Sequence, residues 1–285
     1  MTKSQNNKVD KALMKEKFSS VRSSITKFLS LKIAILAILT LCLQIQVNGQ
    51  HRKVRNLPGY DDAPYHFGFI LGMNHMLFTI KPFPGFQDTK YYSTSNQIPD
   101  VYADSGFLYG VGHNPNFGFT IGIVSNLRIS DNLDLRFVPS LSFGERDIYY
   151  NMKTWFNSVE DAEPMLVTRK IQSTFVEFPL NLKYKGTRYN NTRPYWLAGA
   201  RYSLDLASDS KVNRQNNDVS VVLQKNDLYA ELGAGVDFYT TFFKFGIEAK
   251  MAYGLLDVLR RNETIYTKGI DKFHSKIFLL SFTFE

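Results

Sequence analysis

The sequence predicts an all-β chain, an eight-stranded antiparallel transmembrane β-barrel of the outer-membrane type. Three observations carry that expectation. Segments of about ten to fifteen residues alternate apolar and polar side chains with period two, the links between them alternate long and short, and an export-type leader precedes them all.

The leader comes first. Residues 1–50 hold Lys3, Lys8, Lys11, Lys15, Lys17, Arg22, Lys27 and Lys32 against Asp10 and Glu16. An apolar run from Ile33 to Leu43 follows, and then the small-residue exit Val47-Asn48-Gly49. That order is a secretory signal peptide, with cleavage expected near Gly49 or Gln50. The apolar run is too short to cross a bilayer of about 30 Å as a relaxed helix. The basic part is long for a leader, and Met14 is an alternative start. Most of the net charge of +8 belongs to this segment, so the remaining chain carries about +2 and nucleic acid is not expected as a partner. Cys42, the single cysteine, reads as an apolar filler within the leader, because lipid attachment wants a small residue before it and Leu41 is bulky. Disulfides are then absent from the processed chain.

Residues 51–65 contain Pro58 and Pro64 with charges of both signs, which predicts an extended periplasmic arm, either a linker or an edge for a partner. The barrel is expected over 66–285. Its first strand, 66–80, sets Phe67, Phe69, Leu71 and Met73 against Gly68, Gly72 and Asn74. The second, 116–128, alternates Phe117, Phe119, Ile121 and Ile123 with Gly118, Thr120 and Gly122. After the turn Ser130-Asp131-Asn132, the third runs 133–144 with Leu133, Leu135, Phe137, Leu141 and Phe143 opposite Asp134, Arg136, Ser140 and Ser142. The fourth, 174–184, opposes Val176, Phe178, Leu180, Leu182 and Tyr184 to Phe175, Glu177, Asn181 and Lys183. The fifth to eighth are expected at 194–206, 227–239, 242–255 and 275–284, each with the same two faces.

Long links at 81–113, 147–170, 207–226 and 256–274 alternate with short ones at 129–132, 185–193 and 240–241. Extracellular loops and periplasmic turns explain that sorting and leave both ends of the barrel in the periplasm. A soluble lipocalin-like barrel would share the periodicity but turn its oil inward. Two features favour oil outward: charges of both signs crowd the wet face, and Tyr184, Phe243, Tyr253 and Phe284 gather near strand ends as an interfacial girdle would.

A lumen of eight strands has room only for side chains. The wet-face charges, including Arg128, Asp134, Arg136, Glu145, Glu177, Lys183, Arg201, Asp205, Glu231, Asp237, Lys244, Glu248 and Lys250, are therefore expected to pair inside. Arg136, Glu177, Arg201, Glu231, Asp237, Glu248 and Lys250 form the predicted structural network, centred on Glu177, Arg201, Glu231 and Lys250. No catalytic, cofactor or metal site is expected. The named enzymatic alternative is a lipid A-modifying hydrolase using a histidine, a hydroxyl and a carboxylate. His75 and His274 would meet on the first and last strands, but no Ser or Thr with an acid stands at a fitting offset.

Several stretches then carry a resemblance. Asn56-Leu57-Pro58 with Tyr60-Asp61, Pro64, His66-Phe67-Gly68-Phe69 and Gly72-Met73-Asn74 resembles the opening of the PorT family. So do Phe175-Val176-Glu177-Phe178-Pro179-Leu180, Arg193-Pro194-Tyr195 and Ala198-Gly199-Ala200. The likeness runs from about Asn56 to the last residue, and the Asn-Leu-Pro opening is its specific part. It implies an outer-membrane component of type IX protein secretion, in some bacteria also of gliding motility. Its partners would be outer-membrane lipid and other components of that machine, and it carries no catalytic residues. Asn56, Leu57, Pro58, Tyr60 and Asp61 become the candidate periplasmic partner contact. A general OmpA-type adhesion or stabilising barrel is the alternative.

Overall fold

The computed structural model describes residues 54–285 apart from 96, 99–102, 156–162, 208–220 and 222. The expected signal peptide at 1–50 therefore lies outside the described residues. Ten strands form one antiparallel sheet: β1 (Tyr65–Pro82), β2 (Lys90–Tyr92), β3 (Ser105–Arg128), β4 (Leu133–Phe137), β5 (Ser140–Trp155), β6 (Glu163–Lys185), β7 (Thr192–Asp205), β8 (Asn226–Tyr239), β9 (Lys244–Gly254) and β10 (Ile270–Phe284). The sheet closes on itself, because β1 pairs with β10 on one side (Leu71 opposite Phe282) and with β3 on the other (Leu71 opposite Ile121). β4 and β5 are two halves of one wall strand, both lying between β3 and β6, and β2 pairs only with the upper part of β3. The ring therefore has eight members and leaves no open edge among lipid tails.

The break between β4 and β5 has a local cause. Pro139 has no N–H to give the ladder, and Pro179 on the neighbouring strand has none either. Ile123 N–H donates to the Pro139 carbonyl at 3.0 Å and Val138 N–H to the Pro179 carbonyl at 3.2 Å, which keeps the wall continuous through the kink.

Side-chain direction settles which face meets lipid. Phe67 is 68% exposed, Ile123 62% and Leu232 62%, whereas Glu177, Arg201 and Glu231 on the other face of the same wall are at most 2% exposed. The outward apolar run of β1 from Tyr65 to Met73 covers roughly 20 Å at about 3.3 Å per residue and about 40° of tilt, and the span up to His75 roughly 25 Å, the height of an outer-membrane hydrocarbon band. Trp196, Tyr184, Tyr65 and Phe243 face outward near its lower edge. No helix among the described residues is long and apolar enough to cross a membrane.

The structure departs from the sequence expectation above the membrane. Much of the predicted loops 81–113 and 147–170 is strand: β3 begins at Ser105 and has 24 residues, β5 continues to Trp155, and β6 begins at Glu163. Alternation persists there with its sense reversed. Along β5 the inward residues pass from Ser140 and Ser142 through Arg146 to Ile148, Tyr150 and Met152, while the outward ones pass from Leu141 and Phe143 to Glu145, Asp147 and Lys153. Once the wall leaves the hydrocarbon, water lies outside, and the oily face must turn in. Glu145 is corrected by the same change: it was expected in the lumen, but it lies on the outer surface with its carboxylate 3.6 Å from Lys170 Nζ.

The end that carries the long connections is closed by an apolar core. Leu108, Ile148, Tyr150, Met152, Ile171 and Phe273 from the strands pack with Ile98, Val221, Leu223, Val258, Leu259, Ile265 and Tyr266 from the connections, including a one-turn helix at Ile265–Lys268.

Candidate functional site: an ionic lumen and a folded arm at one mouth

Within the membrane the lumen is filled in layers, since each inward side chain arrives from a strand whose alternate residues face lipid. In the middle, Arg201 on β7 reaches across to two neighbouring strands. Its Nη1 donates to Glu177 Oε1 at 2.7 Å, and its Nε to Glu231 Oε1 at 2.6 Å. Glu177 Oε2 also accepts from Ser142 at 2.9 Å, and Glu231 Oε2 from Asn181 Nδ2 at 3.0 Å. One layer toward the folded arm, Glu248 accepts from Arg136 Nη1 at 2.5 Å and from the Tyr195 hydroxyl at 3.0 Å, with Lys250 Nζ at 3.1 Å. Below that, Lys183 donates to Asp237 at 2.7 Å, and Lys244 lies 2.8 Å from Glu285 Oε2.

The seven residues singled out for the network, Arg136, Glu177, Arg201, Glu231, Asp237, Glu248 and Lys250, are all buried. The structure brings Glu177, Arg201 and Glu231 into one triad. Lys250 sits instead with Glu248 two residues before it on β9. Sequence reasoning missed Glu285, whose carboxylate is buried and also accepts from Asn126 Nδ2 at 2.6 Å. It also passed over Tyr195, because a tyrosine in an alternating strand reads as an interfacial aromatic. Glycines make room for that ring: a Cβ at Gly235 would lie 2.4 Å from the Tyr195 ring carbon Cζ.

The arm is not the extended segment that its prolines suggested. Leu57 (φ 47°) and Gly59 (φ 77°) turn the chain back, and Tyr60–Asp62 form a single 3-10 turn. Asn56 donates its N–H to Asn191 Oδ1 at 2.9 Å and its Nδ2 to the Tyr239 carbonyl at 3.0 Å, while Arg188 donates to the Asn56 carbonyl. Tyr60 stacks on His66 with centroids 4.2 Å apart. Asp61 accepts from the Tyr239 hydroxyl at 2.8 Å and lies 3.1 Å from Arg193. Burial alone would raise the Asp61 pKa, but that hydroxyl and the Arg193 charge outweigh it and hold the carboxyl below its ordinary 3.8. Burial pushes the Tyr60 phenol up to about 12. Of the five arm residues, Asn56, Tyr60 and Asp61 are engaged with the barrel and Leu57 is half-buried, so Pro58 is the exposed one.

The two histidines of the hydrolase alternative do not meet. His75 stacks on Phe117 with centroids 4.8 Å apart, whereas His274 lies opposite Thr79, four residues along β1. His274 Nδ1–H donates to the Leu256 carbonyl at 3.0 Å. Among the described residues no group of three or more His, Cys, Asp or Glu side chains is placed to hold a metal ion.

A closed eight-stranded wall, oily outside and ionic within, is the build of a bacterial outer-membrane β-barrel protein. The chain belongs to the family described as outer membrane protein beta-barrel domain, whose profile matches residues 65–260. No curated protein matches the chain. Solved structures similar to it include Neisserial surface protein A (12% identity, 78% of this chain and 98% of that one, TM-score 0.36). Others are OprG from Pseudomonas aeruginosa (13%, 76% and 94%, 0.32) and the attachment invasion locus protein Ail of Yersinia pestis (10%, 76% and 96%, 0.27).

Proposed function

We propose that this barrel is a non-enzymatic accessory or assembly component of type IX protein secretion, of the PorT kind, with gliding motility as a further readout where the host glides. The observation that carries the reading is the Asn56-Leu57-Pro58 opening, the specific part of the PorT resemblance, folded under the periplasmic mouth with Pro58 exposed. A lumen packed with ion pairs has no space for a folded cargo, so such a protein would work through its surfaces and not as the conduit. Partner contact is then assigned to the exposed edge of the arm and the adjoining turns, with Asn56 and Asp61 holding that edge in shape.

Deleting the gene and following export of type IX cargo tests the reading. Cargo retained inside the deletion strain, and released again on complementation, is expected; normal export would remove the proposal. An OmpA-type adhesion barrel is the second reading, favoured by the long β3, β5 and β6, which rise beyond the membrane. Normal export with lost surface attachment would select it.

A further inference from the structure

The outward face of β10 reads upward as Phe282, Leu280 and Phe278, and then Lys276, His274 and Lys272. The change from oil to cation happens in one step, at the outer edge of the hydrocarbon band. Register places Lys276 opposite Leu77 on β1 and Tyr253 on β9, and Lys272 opposite Lys81. Lys276 Nζ lies 5.9 Å from the Tyr253 ring centroid, and His274 stacks on that same ring with centroids 5.9 Å apart. Asp271, next to Lys272 in sequence, lies 3.6 Å from Lys81, and Asp257 accepts from Arg261 at 2.7 Å. Lys272 and Lys276 have no acidic partner among the described residues.

Directly below this patch lies an apolar depression in the lipid-facing wall. Phe278 and Met251, register partners one step below Lys276 and Tyr253, form its upper end. Its floor is made of short side chains, Ala249, Ala234 and Ala198, beside Leu232, and its volume is about 730 Å³. On the opposite wall the corresponding height is mixed in charge, with Glu145 against Lys170.

We infer that the outward face of β7–β10 is a binding site for a phosphorylated glycolipid of the outer leaflet. Lys276 and Lys272 would meet its phosphate, and one acyl chain would lie over Phe278 and Met251 in the alanine-floored groove. Three points select that occupant. Lys272 and Lys276 stand at headgroup height and are unneutralised, which favours an anion at the membrane surface. Tyr253 and Phe278 offer a polar rim above an oily floor in the vertical order of a lipid. The groove opens into hydrocarbon, so the same molecule reaches both parts. The inference does not depend on the secretion reading.

Native mass spectrometry of the full chain, folded in detergent, tests it, with bisphosphorylated lipid A, dephosphorylated lipid A and phosphatidylglycerol as probes. Bisphosphorylated lipid A is expected to bind in preference to the other two. K272Q/K276Q should weaken it about 30-fold, K272R/K276R should restore it, and K170Q on the opposite wall should leave it unchanged. A249F, which fills the groove without changing charge, should weaken it as well. Equal binding by K272Q/K276Q or by A249F would overturn the site, and so would equal binding of the dephosphorylated lipid or of phosphatidylglycerol. Heat-shifted electrophoresis checks that each variant is folded.

Discussion

The guanidinium of Arg146 sits 4.1 Å from the centroid of the Phe78 ring, and this contact marks the height at which the interior changes from ionic to apolar. Arg146 also donates to Ser275 Oγ at 2.8 Å and to Ser173 Oγ at 2.7 Å. Above it the barrel is built like a water-soluble protein, and below it like a membrane protein, within the same continuous strands.

The two regimes predict which substitutions are costly at each height. L108A opens a cavity in the extracellular core and should cost about 2–5 kcal/mol. I123R places a charge on the lipid-facing wall and should cost about 2–4 kcal/mol at mid-bilayer. K153A on the outer, water-facing side of β5 should change stability by less than about 0.5 kcal/mol. Urea unfolding in lipid vesicles checks all three; a cost for L108A no greater than for K153A would refute the apolar core.

Removing one member of the central triad should be worse than removing all three. R201M leaves Glu177 and Glu231 facing each other in the lumen and should destabilise by about 3–5 kcal/mol. The triple variant E177Q/R201M/E231Q should recover most of that loss. The comparison is made by equilibrium unfolding, and a triple variant weaker than R201M would show that the triad is held together by net attraction.

The filled lumen predicts the electrical behaviour of the barrel. Reconstituted in a planar bilayer, the protein should give no steady open-channel current at moderate voltage, since Arg136, Arg201 and Lys183 are buried across the lumen and the apolar core closes its outer end. A stable unitary conductance of porin size would contradict that packing.

Docking of the arm should depend on pH through Asp61. Its pKa is lowered in the folded protein, so the contribution to docking is complete above the ordinary carboxylate value of 3.8 and is lost as pH falls through the lower folded value. A spin label at P58C in a C42S background should report an immobile arm at pH 7 and at pH 5, and a mobile one in stronger acid. D61N should loosen the arm at pH 7 and flatten the pH response. An arm equally immobile in D61N and at low pH would remove Asp61 as the clasp.

Much of the wall was legible in the sequence because period-two alternation is local. A strand with one face in lipid and one in a polar lumen must write that contrast into every second residue, as at Leu141 and Ser142 or at Phe178 and Glu177. The sorting of long and short links is legible for the same reason, since it marks where each alternating run stops. Alternation says only that two faces differ, and not which solvent each one meets. The sign is set by depth, which no window of residues contains. For that reason Ile148 and Met152, in phase with Arg146 on the same strand, fall within the link expected at 147–170.

The sequence by itself determined the barrel class and which residues of each spanning strand share a face. Tertiary structure alone decided which ions meet, the inversion above Arg146, and the folding of the arm onto Tyr239, Arg188 and Arg193. Those outcomes rest on contacts between residues far apart in the chain, such as Asp61 with Tyr239 or Arg136 with Glu248, where closure of the ring fixes the distance.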